Sequence, residues 1–155
     1  MSTLRPELGD FSSIVCFKAV VVGMEEALGE KTAAVALKAA GRKRGKNLVQ
    51  SLGLAGSTAD LSVVAASLND AIGAKGTRLC AVDKIEQDGS VLRVYTRETV
   101  CSAGEPDGSK RECTFTLGAI HGAVEAVTGR KLKGKHTGSV LRGATHDIFE
   151  FDDLM

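Results

Sequence analysis

Cys80, Glu98, Cys101 and Cys113 carry side chains that together suit a metal ion. Thiolates and carboxylates are donors that zinc accepts, at about 2.3 Å and 2.0–2.2 Å. Glu98 and Cys101 stand close together in Glu98-Thr99-Val100-Cys101, and the segment from Ser102 to Glu112 separates Cys101 from Cys113. That segment contains Gly104, Pro106, Asp107 and Gly108, so it has little apolar surface to hold it and its ends need a tie. Zinc or simple packing of two small thiols would supply one; a Cys101–Cys113 disulfide would too, but a reducing cytoplasm disfavours it.

Whether Cys80 and Glu98 join that group depends on strand register. Arg78 to Glu86 and Val91 to Glu98 read as two strands of a hairpin around Asp88-Gly89. A two-residue turn at Asp88-Gly89 sets Cys80 opposite Arg97 and sends Glu98 to the other face. A three-residue turn brings Cys80 and Glu98 together. A second candidate group lies on the helix expected from Thr116 to Thr128. There His121 sits at the edge of an apolar stripe of Leu117, Ile120, Val124 and Val127. It would either meet a ligand, for instance as an axial donor to a tetrapyrrole, or serve as a satisfied structural histidine. His136 and His146 either pair across the last hairpin or lie on the surface.

The elements that must position these groups follow from periodicity. Residues 1–10 read as an arm. Asp10 or Ser12 caps a helix to about Leu28 with Ile14, Phe17, Val21, Met24 and Leu28 at helical spacing, ended by Gly29. A second helix runs from Lys31 to Leu52. Leu37, Gly41, Gly45, Leu48 and Leu52 share one of its faces, beside a basic stripe of Lys38, Arg42 and Lys46. Glycines there cost about 1 kcal/mol each in helix propensity, which points to another backbone packed close. Ser57 to Asp60 resembles a capping box for a third helix, Leu61 to about Gly73. After the hairpin and the Thr116–Thr128 helix come two more strands, Leu132–Leu141 and Thr145–Phe151, turning at Gly143. The fold class is α+β: N-terminal helices followed by β-β-α-β-β, with an antiparallel four-stranded sheet. Residues 1–29 form an arm and helix, and 30–155 the main domain, of one globular unit.

Composition narrows the function. Twenty Lys and Arg against 19 Asp and Glu give +1, a balance unlike that of a strongly basic nucleic-acid binder. Nucleophile elbow, phosphate loop and dinucleotide fingerprint are all missing, so the chain reads as non-catalytic. The start shows no signal peptide, and the apolar run Ile14–Met24 is short and interrupted by Lys18. Together with the scattered cysteines, this reading places the chain in a reducing cytoplasm.

The run Glu98-x-x-Cys101-x-x-Gly104, then Cys113-x-Phe115-x-x-Gly118 and a helix closing at Gly129, resembles the 4-vinyl reductase-like, or hydrocarbon-binding, domain family. Arg5 to Leu54, with Ala-Gly-Arg-Lys-Arg-Gly-Lys, looks like its cyanobacterial branch. The resemblance implies an α+β ligand-binding fold shared with nitric-oxide-sensor and vesicle-tethering relatives. It implies a pocket for a small hydrophobic molecule, a tetrapyrrole or chlorophyll precursor, with Phe115, Leu117, Ile120, His121 and Val124 as contacts. It further implies zinc on Glu98, Cys101, Cys113 and Cys80, and a role as carrier, sensor or photosystem assembly factor. An accessory role in vinyl reduction is an alternative, as is a ligand-free scaffold that binds protein through the Gly41/Gly45 face or the basic stripe. The expected partners are a second copy, an anionic thylakoid surface met by the basic stripe, or photosystem subunits, without nucleic acid.

Overall fold

The computed structural model describes residues 4–10 and 12–154; the first three residues of the expected arm lie outside them. The chain runs α1 (Ile14–Leu28), α2 (Glu30–Ser51), α3 (Leu61–Ile72), β1 (Ala81–Asp88), β2 (Val91–Arg97), α4 (Phe115–Thr128), β3 (Leu132–Gly138) and β4 (Asp147–Asp153). A 3-10 turn at Val140–Arg142 lies between β3 and β4. This is the expected α+β fold, in the expected order. The sheet is antiparallel in the order β1-β2-β4-β3.

Gly29, at φ 84°, separates α1 from α2. The cap of α1 is Ser13 rather than Asp10 or Ser12: the Val15 N–H donates to Ser13 Oγ at 3.1 Å. The capping box before α3 is also corrected. Asp60 is the cap residue but makes no side-chain cap bond, and Ser57 Oγ accepts from the Ala59 N–H instead. The third strand is shorter than expected, because the chain after Gly138 curls into the 3-10 turn.

The buried face of α2 is Ala33, Leu37, Gly41, Gly45, Leu48 and Val49. Most of the α4 surface is buried, because α4 is sandwiched between α2 and the sheet. The α2–α4 crossing is built from reciprocal glycines. A Cβ on Gly41 or Gly45 would run into the backbone of Phe115 or Ala119, and one on Gly118 or Gly122 into that of Lys38 or Arg42. The small-residue face therefore does meet another backbone, but that backbone is α4 of the same chain. It is not free to serve as a docking or dimer face.

On the sheet, Leu92, Val94 and Thr96 of β2 alternate inward, paired with Phe151, Phe149 and Asp147 of β4. These six side chains are at most 1% exposed. Leu92, Val94, Phe149 and Phe151 fill one core with Val64, Leu68 and Ile72 of α3 and Leu117, Ile120 and Val124 of α4. A smaller cluster of Val21, Ala33, Leu37 and Val100, with Phe17, Met24 and Phe115 packed against it, ties α1 to the rest.

Candidate functional site

The β1–β2 turn settles the register. Asp88 pairs with Val91, so the turn is Gly89-Ser90, one residue later than expected. A bulge between Val82 and Lys84 then shifts the pairing so that Ala81 faces Arg97. Glu98 follows with φ 54°, an uncommon conformation for a side chain other than glycine, and is exposed. Cys80 is 3% exposed in the core. Burial, and next the charge of Asp147, push its thiol pKa up to about 12, so it is protonated at neutral pH.

Cys101 and Cys113 are joined as a disulfide, with Cα atoms 5.1 Å apart. This corrects the expectation that reduced thiols are available there. It also decides the fit of zinc to the four expected residues. Sulfurs bonded to each other are not thiolates, Glu98 is exposed to solvent, and Cys80 is not in the group of donor atoms that gathers around them. Cys80, Glu98, Cys101 and Cys113 therefore do not form a zinc site in this state. The carboxylate that approaches the two sulfurs is Asp147, whose ligand atom lies with theirs inside a sphere of mutual separations below 4.8 Å.

Asp147 was not legible as a site residue. It occupies an inward position of β4 and is 1% exposed. Its Oδ2 accepts from Thr99 Oγ1 at 2.7 Å, and its Oδ1 from the Val140 N–H at 3.2 Å. Thr99 Oγ1 lies 2.9 Å from Cys101 Sγ. His136 stands beside it, with Nε2 at 3.3 Å from Asp147 Oδ1 and Nδ1 accepting from the Cys113 N–H at 3.1 Å. His136 is thus neither a surface residue nor a partner of His146, which contacts Asp83 at 2.9 Å. Burial pushes the Asp147 carboxyl up, but the His136 ring, the Thr99 hydroxyl and the Val140 N–H outweigh it and hold the group below its usual range.

The residues expected around a ligand divide in two. Leu117, Ile120 and Val124 are at most 4% exposed within the filled core. His121 donates Nε2–H to the Leu132 carbonyl at 2.6 Å and packs on the Phe151 ring. Burial, and the nearby Arg42 charge, hold its imidazole below 6.5 against the opposing pull of the Leu132 carbonyl and Glu125. Its Nε2 is thus taken up by the Leu132 carbonyl.

Phe115, in contrast, lines a cleft of about 240 Å³. Its ring meets Phe17 of α1 edge to face, with centroids 5.1 Å apart. Ile14, Leu79 and Val100 complete the apolar wall, and Asp10, Ser12, Ser13, Arg44, Thr77 and Arg78 the polar rim. Phe17 was read only as a core position and Arg44 only as part of a basic run. Their convergence needs the α1–α2–α4 packing, which no local spacing encodes.

The loop 102–112 fastens α1 beside this cleft. Lys18 Nζ donates to the carbonyls of Cys101 and Ala103, each at 3.0 Å, and pairs with Glu105 at 3.0 Å. Arg111 bonds both oxygens of Glu25. Among the described residues no helix is long and apolar enough to cross a membrane.

No protein-family profile and no curated protein matches the sequence. Solved structures do match in fold. One is the phenol-responsive sensory domain of the transcription activator PoxR, solved with phenol. It matches with a TM-score of 0.66 and 13% identity over 93% of this chain and 76% of that one. Another is a trafficking protein particle complex subunit 3 from Naegleria fowleri, covalently bound to palmitic acid. Its TM-score is 0.53 and its identity 11%, over 90% of this chain and 91% of that one. At these identities the shared feature is the fold, one that holds small ligands in both neighbours.

Proposed function

We propose that this chain binds a small hydrophobic molecule without transforming it, as a sensor or carrier, in the cleft between Phe17 and Phe115. The observation that carries this reading is the cleft itself: two aromatic rings and three aliphatic side chains facing an opening, beside a core that is otherwise filled. The ligand-bound neighbours of the same fold support it, as does the sequence resemblance to the hydrocarbon-binding family. At about 240 Å³ the cleft is smaller than the roughly 300–1,000 Å³ of drug-sized pockets, which favours a short chain or single ring over a whole tetrapyrrole. Native mass spectrometry of the chain purified from its own host tests the reading. A retained small-molecule mass, absent from Phe17→Ala, is the expected result. Bare protein that also fails to take up small apolar probes would favour the scaffold alternative.

A metal-binding reduced state is a second reading, favoured by Asp147 beside the two sulfurs. Reduction would turn Cys101 and Cys113 into two thiol donors next to a buried carboxylate, a donor set that zinc accepts.

A further inference from the structure

We infer that the ligand of the Phe17–Phe115 cleft carries a carboxylate, and that Arg44 pairs with it. This rests on the small-molecule reading above and adds the chemical class of the head group.

Elsewhere in the fold the arginines find partners on the protein. Arg42 reaches Glu125, Arg93 reaches Glu150, Arg97 reaches Asp83, Arg111 reaches Glu25 and Glu105, and Arg130 reaches Asp153. Arg142 donates to the carbonyls of Ser109 and Arg111. Arg44 is half-buried in the rim of the cleft and, among the described residues, has neither an ion pair nor a hydrogen bond. A guanidinium stays charged at any physiological pH, and withdrawing it from water without a counter-charge is unfavourable. Asp10 also lines the cleft but is exposed and forms no ion pair with Arg44, so among the described residues no carboxylate of the cleft neutralises the guanidinium.

The apolar side of the cleft sets the rest of the molecule. Phe17, Phe115, Ile14, Leu79 and Val100 present no donor or acceptor side chain, so the body must be aliphatic or aromatic. A carboxylate matches the planar fork of Arg44 with two parallel hydrogen bonds. The class is therefore a small apolar monocarboxylate, short-chain or single-ring, lying against the two phenyl rings with its head at Arg44.

Titration calorimetry on the full chain with octanoate, octanol and octylamine tests this. Octanoate is expected to bind roughly tenfold or more tighter than octanol, the effect of one charge-assisted contact, and octylamine weaker than both. In Arg44→Gln the octanoate-to-octanol ratio should fall to about one while octanol affinity is kept, which also shows that the variant is folded; Arg44→Lys should recover part of the ratio. Equal octanoate and octanol affinity in the unmodified chain overturns the carboxylate inference but leaves the small-molecule reading standing. Octanol affinity unchanged by Phe17→Ala, or no binding of any probe, overturns both.

Discussion

Gly45 of α2 and Ala119 of α4 touch backbone to backbone: a methyl group on Gly45 would lie 1.8 Å from the Ala119 carbonyl oxygen. The same closeness recurs between Gly122 and Arg42, so the two helices interlock through glycines on both sides. Alanine at Gly45 improves helix propensity by about 1 kcal/mol, but it must push two backbones apart, and overpacking costs typically about 1–3 kcal/mol or more. Gly45→Ala and Gly122→Ala should each lower stability in urea unfolding. Gly23→Ala, on α1 with nothing within 4 Å, should raise it by up to about 1 kcal/mol. A stabilised Gly45→Ala would contradict the close crossing.

The Cys101–Cys113 bond closes a loop whose other ties are polar, Lys18 to Glu105 and Arg111 to Glu25 among them. Under denaturing conditions without reductant, alkylation should label the two free cysteines, Cys16 and Cys80, and after reduction all four. Reduction, or Cys113→Ser, should cost about 3 kcal/mol of stability on the chain-entropy account of a loop this short. Four labels without reductant would show that the bond is not formed in the purified protein.

The buried acid Asp147 and the half-buried imidazole of His121 give stability two separate dependences on pH. His121 is held below 6.5 in the fold, so as pH falls past 6.5 the unfolded chain takes up a proton first and stability declines. Asp147 is held below 3.8 in the fold, so its contribution is full above 3.8 and is lost as pH falls through the lower folded value. His121→Gln should flatten the upper decline and Asp147→Asn the lower one, measured as unfolding free energy across pH 7 to 3. Unaltered profiles in both variants would remove these assignments.

For the reduced state, elemental analysis after reduction and zinc loading should find about one zinc per chain, and none in the oxidised protein. Asp147→Asn should reduce that loading and Glu98→Gln should not. The opposite pattern would return the exposed Glu98 to the ligand set and remove Asp147 from it.

The periodic elements were legible because each has a one-dimensional signature. Gly29, Gly53 and Gly129 end helices, and the Leu92–Val94–Thr96 alternation marks a strand. The close approach at Gly41 and Gly45 was legible too, since glycines inside a helix imply a tight neighbour, but their partner was not: Gly118 and Gly122 lie more than 70 residues away. The site was harder to read. A bulge at Asp83 changed the register of Cys80, and the left-handed turn at Glu98 sent its carboxylate outward. Asp147 and His136 entered the cysteine cluster from strands whose polar residues look surface-exposed in sequence. Charge and hydropathy patterns mark an average environment, whereas these two residues are buried because Thr99 and two backbone N–H groups meet them there.

Lys18 has a consequence for motion. Its ammonium gathers the carbonyls at the start of the 102–112 loop, and Glu25 on the same helix holds Arg111 near the loop's far end. The outer wall of the cleft is therefore attached largely by charged contacts around a thin apolar seam, whereas α2 and α4 are locked by direct backbone contact. Cooperative units with few buried contacts open at lower free energy than the core. Amide exchange in α1 should thus outpace that in α2 and α4, and rising salt should widen the gap by screening Lys18 and Arg111. The helix that lends Phe17 to the cleft should therefore exchange as a hinged flap, and a molecule seated behind it should slow that exchange.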